Sequence, residues 1–84
     1  MSWSVRIKNS ARKELRRITG SDRHRLISAI DRLAEHPYRG SALKGELTGL
    51  RRIRVGSYRI LYEIRDGELV VLVVRVGHRR QVYR

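Results

Sequence analysis

Apolar and polar residues alternate over residues 3–8: Trp3, Val5 and Ile7 fall on one side and Ser4, Arg6 and Lys8 on the other, as in a half-buried strand. The period then lengthens. Ala11, Leu15 and Ile18 form one stripe with Arg12, Lys13, Arg16 and Arg17 outside it, which predicts a helix capped by Ser10 and ended by Gly20. A second helix, opened by Ser21 or Asp22, carries Leu26, Ile27, Ile30, Leu33 and Ala34 and closes at His36-Pro37, because the residue before a proline disfavours helical geometry. Two helices with so short a link form an αα-hairpin. Residues 38–49 read as a loop, and residues 51–55, 58–65 and 69–76 as three strands joined by Gly56-Ser57 and Asp66-Gly67. The order is β-α-α-β-β-β. This is a small α+β fold, one domain over residues 1–84, with the N-terminal strand and helical hairpin packed on one face of an antiparallel β-meander.

The glycine-first Gly56-Ser57 loop matches a type II′ turn, and that turn sets the register of the first hairpin. It places Val55 opposite Tyr58, Arg54 opposite Arg59 and Arg52 opposite Leu61, with Glu63 diagonal to Arg52. Like charges directly opposite each other destabilise a sheet, so this arginine cluster is either fully solvated or built around an anion. Strand parity puts Ile53, Val55, Tyr58, Ile60, Tyr62 and Ile64 on the core face, joined by Val71 and Val73 if Asp66-Gly67 is a two-residue loop. The other face carries Arg52, Arg54, Arg59, Leu61 and Glu63 with Val70, Leu72 and Val74. A last strand that is apolar on both sides implies a second cover. Residues 38–49, the C-terminal residues or a partner protein can supply it.

Charge narrows the identity of the anion. Lys and Arg number 20 against 8 Asp and Glu, a formal charge of +12 on 84 residues, and such a field attracts polyanions. Arginine supplies 17 of the 20 cations, and its planar fork suits bidentate phosphate contacts. Nucleic acid is the leading partner. A membrane surface and acidic proteins also fit the charge alone. There is no cysteine, hence no disulfide or thiolate metal site, and a reducing compartment is expected. The first residues have no apolar leader pattern, and the longest apolar run, residues 69–74, is too short to span a bilayer, so the expected location is the cytoplasm without membrane association. Three scattered histidines without carboxylate spacing give no metal motif, and no metal or other cofactor is expected.

The ordered set Leu43-Lys-Gly, Gly49-Leu-Arg-Arg-Ile-Arg-Val-Gly-Ser-Tyr-Arg-Ile-Leu-Tyr62, Val76-Gly-His-Arg79 and Val82-Tyr83 resembles the RelE/ParE superfamily of toxins from toxin–antitoxin pairs. The β-α-α-β-β-β order fits it too. The resemblance covers nearly the whole chain and is most specific over residues 43–84. It implies a RelE-like mRNA interferase: a metal-independent endoribonuclease that cuts messenger RNA in the ribosomal A site and is silenced by a cognate antitoxin. Matched motif to motif, Arg52 and Arg54 stand where the RelE pattern commonly has lysines, Arg59 matches its hairpin arginine, Arg79 follows the glycine after the last strand, and Tyr83 matches the C-terminal tyrosine. Lys44 matches a basic loop position.

Metal-free RNA cleavage usually means attack by the adjacent 2′-hydroxyl through a phosphorane that carries extra negative charge. Cations already aimed at that charge stabilise it more than the ground state, which makes Arg54 and Arg59 the clamp and Arg52 its neighbour. Arginine hardly ever deprotonates, so arginines at positions 52 and 54 remove two candidate bases. Tyr83 is then the base if the positive field lowers its pKa, Arg79 donates toward the leaving oxygen, and His78 is the other titratable candidate. An ion pair of Arg59 with Glu63 or Glu68 is the competing structural role. Lys44, Arg51, Arg12 and Arg16 are candidate RNA phosphate contacts, and the other helix-face arginines, Arg17, Arg23, Arg25 and Arg32, are a solvated surface or further contacts to ribosomal RNA. The expected partners are an acidic antitoxin whose amphipathic helix buries Leu61, Leu72 and Val74, the ribosome and mRNA. The alternatives are a ParE-like inhibitor of DNA gyrase without RNA chemistry and an inactive RNA-binding module of the same fold.

Overall fold

A computed structural model describes residues 3–78 of the chain. Its elements are β1 (Ser4–Ile7), α1 (Asn9–Arg16), α2 (Gly20–Arg32), β2 (Ser41–Ala42), β3 (Leu50–Val55), β4 (Tyr58–Arg65) and β5 (Val70–His78). The strands form one mixed sheet in the order β1-β5-β4-β3-β2. The helices lie on one face, where Ala11, Leu15, Leu26, Ile30 and Leu33 meet Ile60, Tyr62, Val71, Val73 and Val76 in a single buried cluster. Ile53, Val55, Tyr58 and Ile64 pack against that cluster, so the core face is the one parity predicts. No helix among the described residues is long and apolar enough to cross a membrane.

The first hairpin has the expected register, with Val55 opposite Tyr58, Arg54 opposite Arg59 and Arg52 opposite Leu61. Gly56 takes φ +59° and Ser57 has no positive φ, which is the type II′ pattern. The second hairpin departs from expectation. Its connection is not the two residues Asp66-Gly67; a single 3-10 turn (Asp66–Glu68) and a left-handed Leu69 at φ 54° close it instead. Pairing therefore runs Arg65 to Val70 and Ile64 to Val71, two residues out of the two-residue register. An even slip leaves every side chain on its original face, which is why Val71 and Val73 still reach the core.

A bulge in β5 then changes the parity. Tyr62 pairs with Val73 but Leu61 pairs with Arg75, leaving Val74 as the extra residue. Beyond it Val76 turns to the core and is fully buried, while Arg75 and Gly77 take positions beside Leu61 and Arg59. β1 lies in the sheet itself, pairing in parallel with β5 from Ser4–Val70 to Ile7–Val73.

The helix boundaries differ from the pattern. Ser10 is not the cap of α1, whose flanking residue is Lys8. The Lys8 amide donates to Val73 O at 2.9 Å, ending the β1 ladder, and the Lys8 carbonyl accepts from Arg12 N at 2.9 Å, so the chain enters the helix directly from the strand. α2 starts at Gly20, in the left-handed region at φ +67°, so this glycine marks the corner between the helices; α1 has already ended at Arg16. The regular part of α2 stops at Arg32, and separate turns carry the chain on to Pro37.

Within residues 38–49, expected to be loop throughout, Ser41 and Ala42 form a short edge strand against Arg52 and Arg51. Tyr62 secures the approach to it from below. Its buried hydroxyl donates to Pro37 O at 2.7 Å and accepts from Gly40 N at 3.0 Å.

Candidate functional site

The face of the sheet away from the helices holds the arginines. Alternation puts Arg52 and Arg54 of β3 on this face with Arg59 and Leu61 of β4. Because of the bulge, β5 contributes Arg75 and Gly77 here. Two adjacent rows result: Gly77, Arg59 and Arg54 in one, and Arg75, Leu61 and Arg52 in the next. Directly paired residues hold their Cβ atoms about 4.5–5.5 Å apart, close enough for two guanidinium groups to converge on one phosphate. Arg54 is exposed, and Arg52 and Arg59 are half-buried. Gly77 has no side chain to crowd Arg59. Glu63 and Glu68, the structural partners considered for Arg59, both lie against Arg65, at 2.8 and 3.8 Å.

Leu61 is 1 % exposed within the chain itself, which corrects the expectation that a partner must bury it. Leu72 and Val74 remain half-buried.

Other candidates sit elsewhere. Arg51 pairs with the buried Tyr62 and so lies on the helix side of the sheet. Its Nη2 donates to Tyr38 O at 3.0 Å and Gly40 O at 2.6 Å, and its guanidinium sits 5.4 Å from the centre of the Tyr38 ring, so it ties down the segment before β2. His78 pairs with Tyr58 in an edge-to-face contact with ring centres 5.9 Å apart, on the core side of β5 and not beside Arg59. Arg12 and Arg16 are exposed on α1, in the helical layer. Lys44 lies in the connection after β2, near the Leu50 end of β3, and the Arg54–Arg59 pair is about 13 Å away along the strand at its rise per residue. Arg79 and Tyr83 lie outside the described residues. The structure thus brings together Arg52, Arg54 and Arg59 and separates them from Arg51, Lys44, His78, Arg12 and Arg16.

It also adds Arg75, which the alternating pattern passes over. Arg75 is half-buried and bridges to Glu14 of α1 at 3.3 Å. The signal for it was the consecutive pair Val73-Val74 ahead of a charged residue, where strict alternation breaks. Among the described residues no three His, Cys, Asp or Glu side chains come together as a metal-binding group.

A family model described as the ParE toxin of the type II toxin–antitoxin system parDE matches residues 5–83. The chain belongs to this toxin family. Within it, toxin RelG of Mycobacterium tuberculosis is 35 % identical over a 90-residue alignment that takes in 100 % of this chain and 99 % of RelG. The fold agrees with solved relatives. Free Escherichia coli RelE, in a doubly substituted form, superposes with a TM-score of 0.82 at 27 % identity, covering 99 % of this chain and 92 % of that one. The toxin–antitoxin complex RelBE2 of Mycobacterium tuberculosis gives 0.77 at 33 % identity, covering 94 % of this chain and 100 % of that one. The protein is therefore a type II toxin of the RelE/ParE family.

Proposed function

We propose that this toxin stops translation by cutting messenger RNA on the ribosome, through attack of a 2′-hydroxyl on the adjacent phosphorus. The observation that carries the proposal is the direct pairing of Arg54 with Arg59 beside Gly77, on the sheet face the helices leave uncovered. RelE-named relatives support the same reading. As the 2′-oxygen attacks, negative charge builds on the non-bridging oxygens, and guanidinium groups already held there need no reorganisation to stabilise it. Arg54 and Arg59 form that clamp and Arg52 extends it. Tyr83, as phenolate, takes the 2′-hydroxyl proton, and Arg79 donates a hydrogen bond that stabilises the departing 5′-oxygen, which takes its proton from water. A proton-transfer group adds about 10² to 10⁴ in rate. No step is assigned to a metal ion. The toxin is held silent by an acidic antitoxin laid across this face, as solved RelBE complexes of relatives make natural.

Arg59→Ala is expected to lower mRNA cleavage about 10²- to 10³-fold in a purified translation system, and Tyr83→Phe by a comparable factor, with antitoxin binding kept. Translation arrest by both variants at the original level, with no cut message ends, overturns the proposal. DNA damage without cut messages in induced cells would instead assign the protein to gyrase inhibition.

A further inference from the structure

A second basic feature lies around the edge of the sheet from the clamp. Between α2 and the outer edge of β3 runs a groove of about 860 Å³. α2 lines one wall with Arg25, Ser28 and Arg32, the segment before β2 closes one end with Arg39, and residues 52–56 form the other wall. Five arginines line this groove and no carboxylate does. Arg32, Arg39 and Arg54 make no salt bridge among the described residues, and Arg25 makes one weak contact, 3.9 Å from Asp22. The Arg25 guanidinium lies over the hairpin tip, 3.3 Å from where a Cβ on Gly56 would stand, so it reaches across from helix to strand. Arg52 and Arg54 belong both to this wall and to the clamp, which makes the two basic features continuous.

We infer that this groove binds the phosphate backbone of the RNA strand whose scissile phosphate sits in the Arg54–Arg59 clamp, as a track that holds the strand without reading its bases. The inference rests on the cleavage reading above and extends it to substrate positioning. Arginine forks suit phosphate oxygens. No Phe, Tyr or Trp lines the groove and the imidazole of His24 is the single ring there, so successive bases find no stacking platform, and contacts to phosphate alone carry no sequence information. An acidic peptide is the other polyanion to weigh, added as a strand along the free edge of β3. β2 already covers Arg51 and Arg52 on that edge, and the three residues left, 53–55, make a short ladder for an incoming strand. RNA needs only the cations.

The test uses a fluorescein-labelled single-stranded 2′-O-methyl RNA, which lacks the attacking hydroxyl and cannot be cut, with binding read by anisotropy over a salt series. Arg25→Gln/Arg32→Gln is compared with Lys8→Gln/Lys13→Gln, which removes the same charge from exposed positions on the other side of the helical layer. The groove pair is expected to flatten the slope of log affinity against log salt by about 1.4, at about 0.7 per lost phosphate contact, and equally for two unrelated sequences. The Lys8/Lys13 pair leaves the slope nearly unchanged. Should the groove pair fail to fold, Arg39→Gln carries the same test at about half the change. Equal slopes for the two pairs, or no binding by the unsubstituted protein, overturns the inference. So does an unchanged RNA slope with loss of binding to a glutamate-rich peptide, which would make the groove a protein-docking site. Since no cleavage is read, failure here is distinct from failure of the Arg59 experiment.

Discussion

Gly40 and Tyr62 show how closely single residues set the wall on which Arg52 stands. A Cβ on Gly40 would lie 2.6 Å from both Arg52 O and the Tyr62 hydroxyl, closer than any real contact, so backbone must move to admit it. Gly40→Ala should cost about 2 kcal/mol or more of unfolding free energy, read as a lower urea midpoint at unchanged slope. Tyr62→Phe keeps the ring but strips the hydroxyl that serves Pro37 O and Gly40 N, leaving two buried polar groups without it. The expected loss is about 1–3 kcal/mol; a change below the error of the same denaturation measurement would show that water replaces the hydroxyl. Tyr38 has a pH signature. Its hydroxyl donates to the Asp66 carboxylate, and this hydrogen bond, followed by desolvation and the charge of Asp66, raises the phenol pKa above the ordinary tyrosine value, against the opposing charge of Arg51. A raised pKa means the contact favours folding while the phenol keeps its proton and is lost as pH rises through the raised value. Residue-specific tyrosine NMR should show Tyr38 ionising later than a free tyrosine, and Asp66→Ala should remove the delay.

At the scale of elements, the critical point is the end of β5 that β1 does not cover. Past Val73 the outer edge of β5 has no strand beside it among the described residues, and Glu14 of α1 meets it there, accepting from Val76 N at 3.1 Å and from Arg75 Nε at 3.3 Å. That carboxylate blunts an exposed strand edge and holds Arg75 in the row beside Leu61. Glu14→Ala should cost about 1–2 kcal/mol, since the pair is partly solvated, and should speed amide exchange at Val76 more than at Val71. Equal acceleration at both amides would mean Glu14 acts on global stability alone. The same strand shows why the chain was legible only in part. The first hairpin could be paired residue by residue because a two-residue glycine-first turn admits one register, and with it came Arg52, Arg54 and Arg59. The second hairpin slipped by two because Leu69 adopts a left-handed conformation that its residue type does not announce. The bulge at Val74 is set by tertiary packing that carries Val76 into the core, so Arg75 was invisible to alternation. Charge alone makes Arg51 look like a phosphate contact, but its parity with Tyr62 puts it on the helix side, where it serves backbone carbonyls.

For the molecule as a whole, the controlling quantity is its formal charge of +12, with the clamp and the groove forming one basic region around the β3 edge. Two polyanions compete for that region under the proposal, the RNA strand and the acidic antitoxin, and the long-range field favours both without distinguishing them. Specificity then has to come from short-range contact. The antitoxin can add apolar contact where RNA cannot, at the half-buried Leu72 and Val74, while Leu61 on the same face is already closed. Antitoxin capture should therefore divide into two parts with different salt responses. Steering by opposite charge governs the encounter and is screened within about 8–10 Å at physiological ionic strength, so the association rate constant should fall at least about 10-fold between low and physiological salt. Contact between desolvated surfaces governs the lifetime, so the dissociation rate should move far less over the same range. Stopped-flow association and dissociation with the antitoxin, each over a salt series, separates the two. A dissociation rate rising as steeply as the association rate falls would mean that charge alone holds the complex, and that Leu72 and Val74 contribute no contact to it.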